Sequence, residues 1–298
     1  MDAGAAMAAG PLACRAGRRQ AVGAVRAARR RGAPRHALWR APWRPPGHAP
    51  WHGLWRVAAA ILLAGCAHWP GPPADIGGTA DVVLDGRATR ADLYRPLGVP
   101  HPALAVVLAH GYSRSRANMA GHAERLAREG VLAVAPDLPY GSDVEGNARA
   151  LADLVRQLLA GTFAAPVSQV VLVGFSAGGL AAVLAAPTPG VAGFVGLDPY
   201  DRPSGLGRQA AATLQRPAAL LRAPPSACNG QAAAAPWAAV LPRLDVDRLF
   251  EGASHCDFES PTDWLCSLAC GAPDAARQQA IADELLRVLQ RWREAPGP

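Results

Sequence analysis

The segment Gly174-Phe175-Ser176-Ala177-Gly178 sets a serine between two glycines. It directly follows the apolar run Gln169 to Val173 and precedes an Ala/Leu-rich stretch from Leu180 to Ala186. A serine hydroxyl is a poor nucleophile until it is held free of its neighbours beside a base, and a sharp turn from strand to helix does the holding. Such a turn leaves little room around the serine, so Gly174 and Gly178 remove the Cβ atoms that would collide with strand and helix. The helix that starts behind Ser176 also aims its positive end at the turn, where it favours developing negative charge. In a chain with 31 glycines the pattern can arise by chance, so its weight comes from the strand, turn and helix around it.

The elements that must position this serine follow from hydropathy patterning. From about Asp75 onward, apolar strand-like runs alternate with helical stretches, which predicts βαβ units and a mostly parallel sheet. Residues 80 to 95 read as an antiparallel edge hairpin that turns at Asp85-Gly86. A buried strand, Ala103 to Ala109, enters the loop His110-Gly111-Tyr112, and a helix from Asn118 to Glu129 follows. The strand Val131 to Ala135 stops at Pro136-Asp137-Leu138-Pro139, and a helix from Asn147 to Leu159 leads to the strand before Ser176. About nineteen residues separate Asp198 from the next strand, and no long insertion occurs elsewhere, so the spacing predicts little or no lid and an open site.

Residues 80 to 295 resemble the α/β-hydrolase family, on the strength of the Gly-x-Ser-x-Gly turn in its strand-turn-helix setting. The resemblance implies an α/β fold with helices on both faces of the sheet, and an acid and then a histidine after the nucleophile. His255 is the only histidine beyond Ser176. It follows Leu249-Phe250-Glu251-Gly252-Ala253-Ser254, a last strand ending in a small-residue loop, where family members carry the general base. A surface-loop histidine is the plainer reading. Family members often carry the acid after the penultimate strand, here Ala218 to Leu221, yet Arg222 to Gly230 contains no Asp or Glu. One strand earlier, Ala192 to Leu197 runs into Asp198-Pro199-Tyr200-Asp201. Asp198 is therefore the expected acid, an arrangement that resembles chlorophyllase-like and some lipase members; Asp201 is the runner-up, and Asp198 could instead simply open an Asp-Pro turn. Asp257, two residues past the histidine, is poorly placed to orient its ring.

In this reading His255 takes the proton of Ser176 as it attacks an ester carbonyl, Asp198 fixes the imidazole tautomer, and water releases the acyl-enzyme. Backbone N–H groups of Ala177 and Tyr112 would form the oxyanion hole. His110-Gly111-Tyr112-Ser113-Arg114 resembles the oxyanion loop of dienelactone-hydrolase-like and cutinase-like enzymes. This makes His110 a loop-shaping residue rather than a second base, and lets the Tyr112 ring contribute to an acyl pocket. Soluble short-chain esters, or lipid and polyester surfaces, suit an open site. Thioester hydrolysis, peptide hydrolysis or acyl transfer can use the same scaffold, and a non-catalytic envelope protein with a relic turn is the rival class. The triad needs no metal or organic cofactor.

Composition narrows the partners. The net charge is +7, but eleven of the thirty basic residues precede Cys66, where Asp2 is the only acid. The remainder carries nineteen basic and twenty-two acidic residues, which removes any charge argument for nucleic-acid binding. Every basic residue is Arg. Residues 1–50 show no core-building periodicity and read as a disordered basic extension, with translation starting nearer Trp51 or Leu54. Residues 51–66 read as a signal peptide: Arg56, then the apolar run Val57 to Ala64, too short to cross a bilayer. Leu63-Ala64-Gly65-Cys66 resembles the lipobox of bacterial lipoproteins, which implies lipidation of Cys66 and a membrane anchor in the cell envelope, with 67–298 as the hydrolase domain; Ala67, unlike the Asp that retains many lipoproteins in the inner membrane, favours the periplasmic side of the outer membrane, and a periplasmic location is the alternative. Cys228, Cys256, Cys266 and Cys270 remain, an even number suited to an oxidising compartment. Three pairings are open, and Cys228–Cys256 with Cys266–Cys270 is the expectation, because the first would tie two active-site loops together. A zinc site is the competing use of such a cluster.

Overall fold

A computed structural model describes residues 77–99, 101–163 and 166–294. The basic extension, the signal peptide and Cys66 lie outside the described residues. The strands are β1 (Gly77–Leu84), β2 (Arg87–Tyr94), β3 (Leu104–Ala109), β4 (Leu132–Pro136), β5 (Gln169–Phe175), β6 (Val191–Leu197), β7 (Ala218–Arg222) and β8 (Leu244–Leu249). The helices are α1 (Ala120–Arg128), α2 (Val144–Leu159), α3 (Ala177–Ala185), α4 (Leu206–Thr213), α5 (Trp264–Cys270) and α6 (Ala275–Glu294).

All eight strands form one sheet in the order β1-β2-β4-β3-β5-β6-β7-β8. Strand β2 is antiparallel to both its neighbours, β1 and β4, and all the other pairs are parallel. The expected hairpin turn is in place, with Leu84 paired to Arg87 and positive φ at both Asp85 (48°) and Gly86 (77°). That is the backbone a two-residue turn needs to follow the strand twist.

Side chains alternate across the central strands, as a sheet covered on both faces requires. Ala105, Val107, Leu172, Phe194 and Leu220 pack with α2, α3 and α4 on one face. Val106, Leu108, Val173, Val195 and Leu221 pack with α1 and α6 on the other. At the two sheet edges β1 and β8 are largely solvent-facing, and Asp245, Asp247 and Arg248 charge the β8 edge against pairing with another chain.

Two helix boundaries differ from the sequence expectation. The stretch expected as one helix from Asn118 divides into a 3-10 turn, Arg116–Met119, followed by α1. Helix α2 starts three residues earlier than its apolar periodicity indicates, because the Asp143 carboxylate accepts from Gly146 N at 2.9 Å and caps it.

Candidate active site

Strand β5 delivers Ser176 into the interval before α3 with φ 53° and ψ −123°, a region costly for a residue with a side chain. The surroundings hold it there. A Cβ on Gly174 would lie 2.3 Å from the Gly178 carbonyl oxygen, and one on Gly178 would lie 2.3 Å from the carbonyl oxygen of His110. Both glycines are thus required by contact with backbone that has no room to yield. Ser176 N donates to Leu197 O at 3.1 Å, while Ser176 O accepts from Tyr200 N at 3.0 Å, so the serine's backbone is bonded to both sides of Asp198.

Asp198 leaves the end of β6 with a positive φ of 39° and is buried. Its Oδ2 is 2.6 Å from His255 Nδ1, and its Oδ1 accepts from Ala223 N at 2.9 Å. His255 opens a 3-10 turn (His255–Phe258) and is buried, with the ring of Phe175 against it at 4.6 Å between centroids. Ser176 and His255 line one cavity of about 620 Å³, whose walls also include Gly111, Tyr112, Ala177 and Tyr200. No hydrogen bond joins the Ser176 and His255 side chains among the described residues. The arrangement supplies a strained hydroxyl, a ring and a buried carboxylate on that ring's far nitrogen, the parts acyl transfer uses.

The N–H groups of Tyr112 and Ala177 make no hydrogen bond within the protein among the described residues, and both residues line the cavity. The side chain of Tyr112 is 64% exposed at the cavity rim. His110 Nε2 accepts from Leu138 N at 2.9 Å, so its proton sits on Nδ1 and reaches Gly111 O at 2.8 Å. Burial pushes its pKa below the usual histidine range. His110 ties the loop after β3 to the loop after β4 and shapes both.

The other carboxylates have other work. Asp201 accepts from Gly207 N and Arg208 N at the start of α4 and from Trp237 Nε1 at 2.7 Å. Asp257 accepts from Ser254 N, Asp274 N and Arg277 Nε. Neither is bonded to His255.

The expected cysteine pairing is wrong. The disulfides are Cys228–Cys270 and Cys256–Cys266. Cys266 and Cys270 lie on the short helix α5, whose start is fixed by Asp263 accepting from Cys266 N at 2.9 Å. The helix carries each thiol to a different loop: Cys266 to the turn of His255, Cys270 to the loop after β7. Sulfur atoms of Cys256, Cys266 and Cys270 lie within 4.8 Å of one another, but all are consumed in disulfides, which leaves no thiolate to hold zinc.

Two features escaped the sequence. Asn229, fully buried in the loop after β7, directs Nδ2 at both oxygens of Asp198, at 3.3 and 3.2 Å. Arg114 in the loop after β3 lies 3.8 Å from buried Glu259 and donates to Asp263 at 2.6 Å, joining that loop to the segment that follows His255. Burial pushes the Glu259 carboxyl above the usual carboxylate range. The missing acid in the loop after β7 was the one available pointer to Asn229; the Arg114 link spans about 150 residues, and no local pattern encodes it.

A profile of the alpha/beta hydrolase family matches residues 106–298. The chain belongs to the alpha/beta hydrolase family. Solved alpha/beta hydrolase structures share its fold. A dienelactone hydrolase from Anabaena variabilis superposes with a TM-score of 0.53 at 21% identity, covering 71% of this chain and 98% of that one. Est1E from Butyrivibrio proteoclasticus gives 0.54 at 14% identity over 72% and 99%. Thermogutta terrifontis esterase 2, phosphoramylated by tabun, gives 0.57 at 17% identity over 75% and 97%. No curated protein sequence matches the chain.

Proposed function

We propose that this alpha/beta hydrolase is a serine hydrolase of carboxylic esters, with Ser176 as nucleophile, His255 as general base, Asp198 as the acid that orients it, and Tyr112 and Ala177 N–H as the oxyanion hole. The observation that carries this reading is the 2.6 Å contact between His255 Nδ1 and Asp198 Oδ2. With Nδ1 donating there, the other ring nitrogen is left as an acceptor for the serine proton. Thermogutta esterase 2 lends support as an esterase of the same fold. The cavity of about 620 Å³, with short flanking loops, suits a small-molecule ester.

The test is hydrolysis of p-nitrophenyl acetate, butyrate and palmitate by the purified protein beside Ser176→Ala and Asp198→Asn. Activity on acetate or butyrate that disappears in Ser176→Ala supports the reading. A folded parent protein inert on all three esters sinks it and brings thioester, peptide or acyl-transfer chemistry forward. We also propose that Cys66 is lipidated and anchors the enzyme to a bacterial cell envelope. Two disulfides in the folded domain favour an oxidising compartment. Mass spectrometry of the mature N-terminus tests this: an unmodified Cys66, or a chain still carrying residue 65, would rule the anchor out.

A further inference from the structure

The loop after β7 lacks a carboxylate where family members often carry the triad acid, and an amide stands there instead. The Asn229 side chain is fully buried, and each of its polar atoms is used. Oδ1 accepts from Ser226 N at 2.9 Å and Ala232 N at 2.8 Å. Those two donors fix the amide's orientation, since the NH2 group could not take their place. Nδ2 therefore donates to Pro224 O at 2.9 Å and straddles the two oxygens of Asp198 at 3.3 and 3.2 Å.

The surrounding backbone is committed to this placement. Cys228, directly before it, is bonded to Cys270, and the three residues directly after it, Gly230, Gln231 and Ala232, all have positive φ (62°, 61° and 59°). Positive φ at Gln231 and Ala232 costs about 1 kcal/mol or more for each residue, so packing and hydrogen bonds must hold the loop in this form.

We propose that Asn229 is a positioning residue that sets the angle and the basicity of Asp198, and through it the proton affinity of His255. The proposal rests on the serine-hydrolase reading above. Asn229 acts in two ways. The N–H not taken by Pro224 O, with Ala223 N, holds the carboxylate plane so that Oδ2 faces His255 Nδ1. It also draws off part of the negative charge, which leaves less of it to stabilise imidazolium. A carboxylate at 229 would do the opposite, setting two like charges within hydrogen-bond distance and turning an acceptor toward Pro224 O. The other titratable and charged groups around the pair include Asp257 and Glu259, in and after the turn of His255, and His110, Arg114, Arg202, Tyr112 and Tyr200 among the cavity walls. The Asn229 side chain is hydrogen-bonded to none of them.

The experiment measures kcat and KM for p-nitrophenyl butyrate from pH 5 to 9 in the wild type, Ser176→Ala, Asn229→Ala and Asn229→Asp. It adds thermal melts and an NMR titration of the His255 ring in the Ser176→Ala background, with and without each change at 229. Asn229→Ala should lower kcat about tenfold or more with KM little changed, and move the acid limb of the profile and the ring pKa up by about one unit. Asn229→Asp, close to isosteric, should move both in the same direction. An acid limb and ring pKa that stay at the wild-type values in both folded variants would overturn the proposal, whatever the fall in kcat, because a merely structural role changes how much enzyme is active and not its titration. If Asn229→Ala does not fold, Asn229→Asp decides. A wild type without esterase activity, or an active Ser176→Ala, is a failure of the serine-hydrolase reading instead, and the ring titration still decides whether Asn229 governs His255.

Discussion

Phe175 and His255 stack with their ring centroids 4.6 Å apart and their planes tilted by 35°, although eighty residues of chain separate them. The residue before Ser176 thus covers one face of the proposed base. Together with the carboxylate at Nδ1, this leaves the ring little freedom to turn away from the serine. Phe175→Leu keeps the volume apolar but loses the flat surface. It should lower kcat for p-nitrophenyl butyrate by about tenfold to a hundredfold with a smaller change in KM. Unchanged kcat in a folded variant would mean that Asp198 alone fixes the ring.

Asp198 and Asp201 lie three residues apart and should separate cleanly under mutation. Asp198→Asn is expected to cut kcat about 10³- to 10⁴-fold while melting near the wild-type temperature, since a wrongly held tautomer cannot accept the serine proton. Asp201→Ala removes the cap of α4 and the partner of buried Trp237, so it should cost roughly 2 kcal/mol or more of stability and leave kcat in the folded fraction largely intact. Steady-state kinetics beside urea melts distinguish the two outcomes, and their reversal would exchange the roles assigned here.

The disulfides bracket α5. Cys228–Cys270 closes a separation of 42 residues and Cys256–Cys266 one of 10, worth about 4 and about 3 kcal/mol in a chain-entropy description. Each also pins a loop that bears on the site, one beside Asn229 and one beside His255. Mild reduction should therefore abolish esterase activity at a temperature where far-UV circular dichroism still reports a folded sheet. Activity and secondary structure that vanish together on reduction would show that the bonds serve only global stability.

His122, on α1, is fully buried, with Nε2 donating to Phe258 O at 3.1 Å and Nδ1 without a partner. Burial pushes its pKa down from 6.5 to about 4. The folded ring then stays neutral until about pH 4, whereas an unfolded chain takes up the proton from about pH 6.5. Below pH 6.5 the unfolded state binds more protons, so this residue costs stability as pH falls toward about 4, by about 3 kcal/mol at most, and costs nothing further above pH 7. Thermal melts between pH 7 and 4 should fall more steeply in the wild type than in His122→Gln; parallel slopes would remove His122 from the account.

Some of this architecture was legible in the residues themselves. Asp85-Gly86 announced the hairpin because few residues accept two consecutive positive φ values, and the glycines around Ser176 announced the turn because nothing larger fits. Asp198 was singled out by its place at a strand end, and the fold sets its carboxylate against the His255 ring. The disulfide pairing was missed because it depends on α5, a seven-residue helix with no apolar periodicity strong enough to mark it, and pairing is decided by which loops that helix touches. Asn229 and the Arg114–Glu259 link were missed for the same reason: each joins strand-end loops through the fold, and local sequence carries no trace of the partner.

Leu197 at the end of β6 is in register with Leu221 of β7, so Asp198 and the loop that carries Asn229 start from adjacent strand ends about 4.8 Å apart. The end of β6 carries the charge that meets the imidazole, and the loop from the end of β7 supplies that charge with a neutral donor. The acid and the amide are in that sense two fittings on neighbouring sockets. They meet at one point because the sheet brings their strand ends together, whatever length of chain runs between them.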